Sequence, residues 1–127
     1  MRKLILIAAV ILLFGAALGQ QTNNTVEWER IGLKKVGHKV KTVRFSVDKN
    51  KQYRFIKLRI FKTSIIIEKW VLEYRNGITQ HVGFVGLASE NRSFPAIPVH
   101  GRLKKIHLTC YSADKDRKAE VELLGSQ

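Results

Sequence analysis

The chain is predicted to fold as an all-β protein, a two-sheet antiparallel β-sandwich. Three observations carry this: short runs in which apolar and polar residues alternate, no convincing helical period, and turn residues that separate the runs at short intervals. About seven or eight such strands, with no helix to cover a sheet, must bury their apolar faces against one another. A small β-barrel is the alternative.

The first element is not a strand. MRKLILIAAVILLFGAALGQ places Arg2 and Lys3 before an apolar run from Leu4 to Leu18, and Ala17-Leu18-Gly19 offers small residues for cleavage. That order is that of a secretory signal peptide. The apolar run is about 15 residues, short of the roughly 20 that span a bilayer. Cleavage after Gly19 is expected, with an uncleaved N-terminal anchor as the alternative. This gives a leader over 1–19, a single domain over 20–127 and a periplasmic or extracellular location. Without the leader, 21 Lys and Arg face ten acids, for a net charge of +11. Charge of that size favours anionic partners and solubility but says nothing of fold. Cys110 is the only cysteine, so no intrachain disulfide can form. A disulfide-free exported protein suits a bacterial source better than a eukaryotic secretory route.

The strands follow in order. Val43, Phe45 and Val47 alternate with Thr42, Arg44 and Ser46, and Asp48-Lys49-Asn50-Lys51 breaks the run. Ile56, Leu58 and Ile60 alternate with Lys57 and Arg59. Ile65-Ile66-Ile67 and Trp70-Val71-Leu72 are apolar on both faces, as in a central strand covered from two sides. Asn76-Gly77 tolerates positive φ at both turn positions and closes a tight hairpin between Val71–Tyr74 and Ile78–Phe84. Gly83–Pro98 contains both prolines and is the longest expected loop. Ile106, Leu108 and Cys110 form one inward face, Ser112–Lys118 a charged turn, and Ala119, Val121 and Leu123 the inward half of the last strand.

Trp28 before Ile31-Gly32, the run Phe55–Ile60, the strand ending Val71-Leu72-Glu73-Tyr74-Arg75-Asn76-Gly77, Gly101–Ile106 leading into Tyr111-Ser112, and the closing Ala119–Gly125 are similar to a family of small exported bacterial β-proteins of uncharacterised function. The resemblance implies export and an all-β fold, and it implies no activity. That family often carries Asp residues near Gly37–Thr42, where this chain has His38-Lys39-Val40-Lys41.

Catalytic and metal-binding chemistry find little footing. His107 and Cys110 are three apart on one strand, so they face opposite ways and cannot share a metal without a bulge. His38, His81 and His100 have no ligand spacing, and a structural zinc site needs about four convergent ligands; no metal and no cofactor is expected. Cys110, in line with Ile106 and Leu108, should be a buried thiol rather than a nucleophile. The same-face pairs Glu27/Glu29 and Glu120/Glu122 are expected to be solvated rather than a hydrolytic carboxylate pair. The protein is read as non-enzymatic.

Charge is the informative signal. Between Lys34 and Lys62 stand eleven Lys and Arg and one acid, Asp48. Lys39, Lys41, Arg44, Lys57, Arg59 and Lys62 are the candidate polyanion-binding residues, on the expectation that neighbouring strands unite them as one basic sheet face. Tyr53, Phe55 and Phe61 could stack nucleobases, but an exported protein meets little nucleic acid. Anionic polysaccharide or lipid head groups are the expected partners. The alternatives are a structural module docking an envelope protein, and a hydrolase.

Overall fold

The computed structural model of the protein describes residues 27–92 and 94–127, so the expected leader over 1–19 lies outside the described residues. The strands are β1 (Glu29–Val36), β2 (Lys41–Ser46), β3 (Phe55–Phe61), β4 (Ile65–Tyr74), β5 (Thr79–His81), β6 (Gly86–Ala88), β7 (Ile97–Pro98), β8 (Leu103–Ser112) and β9 (Ala119–Ser126). Sheet I has the order β1-β9-β3-β7 and sheet II the order β2-β8-β4-β5, with β6 also pairing with β4. All pairs are antiparallel. The two sheets do not close on each other, so the arrangement is the sandwich and not the barrel.

The core is built from the alternation read in the sequence. Ile56, Leu58 and Ile60 of β3 and Ala119, Val121 and Leu123 of β9 face inward from sheet I. Across the gap, sheet II contributes the rows Val43–Leu108–Trp70 and Phe45–Ile106–Leu72. Cys110 is fully buried among them, and burial pushes its thiol up to about 11.

β4 corrects one expectation. It is central to its sheet, but its outward residues Ile66 and Val71 are only half-buried. The two-sided apolar pattern comes from an irregularity between Ile67 and Lys69, which leaves Glu68 out of the pairing and shifts the phase. Ile65 and Ile67 before it, and Trp70 and Leu72 after it, all point inward.

The hairpin differs too. Gly77 has φ +89, whereas Asn76 does not take positive φ. The Gly77 N–H donates to the Tyr74 carbonyl (3.0 Å) and the Tyr74 N–H to the Ile78 carbonyl (2.9 Å). That is a three-residue loop, Arg75-Asn76-Gly77, with positive φ at the glycine alone rather than at both Asn76 and Gly77. The returning strand ends at His81, and the segment expected to be one long loop contains β6 and β7. Pro98 sits at a sheet edge, where its missing N–H leaves no ladder bond unmade.

β1 has no alternation to announce it, because its pairing with β9 is irregular between Gly32 and Arg30. Two glycines, one in β1 and one opposite its start in β9, make close contacts with aromatic rings. Gly125 faces the Tyr53 ring, and a methyl at 125 would stand 2.5–2.8 Å from three ring carbons. Gly32 lies under Phe45 in the same way, at 2.7 Å. Gly125→Ala should therefore lower stability by about 1–3 kcal/mol through overpacking, seen as a lower urea midpoint at unchanged slope.

Tyr53 cannot simply swing away, since its hydroxyl donates to Glu29 Oε1 at 2.7 Å while Lys51 Nζ lies 3.0 Å from that oxygen. The Tyr53 hydrogen bond first, and Lys51 second, hold the Glu29 carboxyl below the usual carboxylate range. A carboxyl whose pKa falls on folding adds stability above its unfolded pKa and loses it as pH falls through the folded one. Glu29→Gln should accordingly flatten the acid limb of stability against pH, with the difference from wild type disappearing at strongly acidic pH.

Candidate anion-binding site

Three connections meet at one end of the sandwich: residues 37–40, 62–64 and 113–118. The Ser112 N–H donates to the Gly37 carbonyl (2.6 Å) and the Ala113 N–H to the Ser64 carbonyl (2.9 Å). His38 Nδ1 lies 3.0 Å from the Ser112 carbonyl, and the Arg117 guanidinium donates to the Lys62 carbonyl. These bonds draw the three loops into a rim and gather their cations.

Two adjoining clefts open there. One, of about 290 Å³, is lined by Lys35, Lys62, Arg117, Lys118 and Glu120. The other, of about 460 Å³, is lined by Lys35, Gly37, His38, Lys39, Val40, Lys41 and Lys118. Lys35 and Lys118 belong to both, so the clefts form one groove with six Lys or Arg and a single carboxylate. Lys62 holds φ +77, unusual for a residue with a side chain. Lys62→Gly should relieve the backbone, stabilising the fold by roughly 0.5–1 kcal/mol in denaturant titration while removing a cation.

The rim continues onto the outer face of sheet I, where Lys35, Glu120 and Phe61 are neighbours in register. Beyond Phe61 a third cleft, of about 300 Å³, is lined by Lys57, Arg59, Ile60, Phe61, Asn91 and Arg92. Both β3 cations lie on aromatic faces: Lys57 Nζ is 4.2 Å from the Trp28 ring centre and Arg59 5.1 Å from that of Phe61.

Glu122 corrects the expectation that the β9 acids are solvated. Its side chain is only 6% exposed, because β9 is central and arginines from both neighbouring strands close over it. Arg30 Nε donates to Glu122 Oε2 at 2.7 Å. Arg59 Nη1 lies 3.5 Å from Oε1, too poorly aligned for a hydrogen bond. Glu122 thus anchors Arg59 and offsets part of its charge.

The six cations singled out in the sequence are not brought onto one sheet face, because β2 and β3 lie in different sheets. Lys39, Lys41 and Lys62 line the rim, and Lys57 and Arg59 lie on its continuation. Arg44 stands on the outer face of sheet II, in a separate cleft of about 320 Å³ with Thr42, Lys69, Val71, Thr79, His107 and Thr109. Beside it His107 Nε2 lies 2.9 Å from Glu73 Oε1, and this contact is the main cause holding the Glu73 carboxyl below the usual range. Sequence reasoning missed Arg92, Arg117 and Lys118 as partners of the Lys34–Lys62 cluster. The only signal for the last two is the basic turn Lys115–Lys118, whose place beside Lys35 depends on the β9–β1 pairing.

A larger cleft of about 560 Å³ lies at the opposite end, lined by Glu27, Trp28, Glu29, Arg54, Phe55, Ser126 and Gln127. Two acids against one arginine leave it without a basic character. Among the described residues, no group of three or more His, Cys, Asp or Glu is placed to hold a metal ion.

No curated protein and no solved structure matches the chain. A family model described as Domain of unknown function (DUF2541) matches residues 5–125, nearly the whole sequence, and the protein belongs to that family.

Proposed function

We propose that the protein is an exported, non-enzymatic module that binds anionic polymers or surfaces through the basic rim. The observation that carries this reading is the groove shared by Lys35 and Lys118, in which cations from four separate parts of the chain face a single carboxylate. Like charges converge at a cost in self-repulsion, and a phosphate- or carboxylate-bearing partner removes that cost while releasing its own counterions. The net charge of +11 that the chain carries without the leader would draw such partners in from a distance. The apolar leader sequence supports export.

The test separates a site from general basicity. K35E/K118E and R44E/K69E change net charge equally, but only the first pair lines the groove. Binding of inorganic polyphosphate at about 0.1 M salt should fall at least tenfold for K35E/K118E and less than threefold for R44E/K69E. Equal losses would show that only net charge matters and would overturn the assignment of the rim.

A further inference from the structure

The groove has an apolar neighbour that a soluble polyanion would not use. Across the outer face of sheet II, Leu87, Ile66 and Tyr111 stand side by side in register at the rim. Lys41 pairs with Cys110, so Val40, one residue earlier, comes next to Tyr111 at the end of this row. The His38 ring meets that of Tyr111 edge-on at 6.1 Å. Leu87 is 60% exposed and Val40 54% exposed, and Val85 near Leu87 is exposed as well. Single exposed apolar residues need no explanation, whereas a row of them along one border does. Val40 belongs to both features: it ends the apolar row and lines the basic cleft with Lys35, Lys39, Lys41 and Lys118.

This juxtaposition identifies the kind of surface that would satisfy both halves. A polymer of phosphates in water offers charge alone. A bilayer rich in anionic phospholipid offers a layer of phosphates and, about 5–10 Å beneath it, an apolar phase. We propose that the rim docks on anionic phospholipid bilayers, with Lys35, Lys39, Lys41 and Lys118 on the head-group phosphates and Val40, Val85 and Leu87 entering the interface. The proposal rests on the anion-binding reading of the same groove and names its partner. Acids at this end do not reverse its sign: Glu90, Asp114, Asp116 and Glu120 face Lys35, Lys39, Lys41, Lys62, Lys115, Arg117 and Lys118.

The experiment uses the chain from Gln20, which retains every residue of both sheets but not the apolar run of the leader. Co-sedimentation is measured with vesicles of phosphatidylcholine alone and with vesicles containing about a third phosphatidylglycerol. Polyphosphate binding is measured in parallel. Wild type should sediment with the anionic vesicles only. V85S/L87S removes exposed apolar surface without changing charge and touches no residue of the groove; it should lose at least tenfold in vesicle affinity and keep its polyphosphate affinity within twofold. If V85S/L87S binds anionic vesicles as wild type does, the lipid phosphates act as one more polyanion and the inference falls. Wild type that binds polyphosphate but no vesicle also overturns the inference and leaves the anion-binding reading intact, with a soluble polymer as the partner. Binding to neither removes both.

Discussion

Replacing Trp70 with alanine is expected to lower the free energy of unfolding by about 3–5 kcal/mol, the largest effect of any single substitution in this fold. Trp70 is 1% exposed and is the bulkiest of the fully buried side chains. It stands opposite Leu108 in the central pair of sheet II and faces the strands of sheet I. Its removal leaves a cavity that two hydrogen-bonded sheets cannot close, since their spacing is set by the rest of the core. No disulfide shares the load, because Cys110 is the only cysteine. A domain of this size has a total margin of about 5–15 kcal/mol, so the variant should be marginal or unfolded at 37 °C. The indole carries a second consequence: its Nε1–H is buried and has no acceptor. Trp70→Phe discards that unpaired donor together with part of the ring, and the two effects oppose each other. Urea titration should therefore place Trp70→Phe within about 1.5 kcal/mol of wild type, far from the alanine variant. Alanine and phenylalanine costing the same would mean that the site is not packed as described.

The contrast between Trp70 and Lys118 shows what the sequence could reveal. The inward rows Val43/Phe45, Ile56/Leu58/Ile60 and Ile106/Leu108 were legible because alternation is a local property of a half-buried strand. Glu68 was not, since one residue left out of a ladder moves the phase without a composition signal. β5, β6 and β7 are two or three residues long, too short for periodicity to register. The candidate site was legible only in part, for a different reason. Lys39, Lys41 and Lys62 lie in a basic stretch visible by counting, and Lys57 and Arg59 lie in a visible strand. Their union with Arg117 and Lys118 depends on β9 inserting between β1 and β3, a long-range pairing that no local pattern encodes. The same pairing buries Glu122 under Arg30 and Arg59, which is why a carboxylate that looked solvated in the sequence became an internal anchor.

Raising monovalent salt from 50 to 200 mM is expected to weaken polyphosphate binding by roughly a thousandfold, the largest expected effect on binding. The groove presents six cations, Lys35, Lys39, Lys41, Lys62, Arg117 and Lys118. If each neutralises one phosphate, the slope of log K against log salt is about −4 to −5. The Arg117 guanidinium also donates to the Lys62 carbonyl; with Arg117 held there, five contacts give a slope of about −3.5 to −4.5. K35E/K118E removes two contacts, so its slope should shrink by about 1.5 to 2, and the same fourfold change in salt should cost it only about a hundredfold. R44E/K69E alters the long-range field by the same charge and leaves the contacts in place. Its affinity curve should be displaced slightly with its slope unchanged. A slope near −1 for wild type would mean one or two phosphates bound rather than a groove engaged along its length. Parallel slopes for the two double variants would place the contacts elsewhere on the surface. The slope counts contacts and the displacement reports the field, so one titration series separates a built rim from a protein that is merely basic.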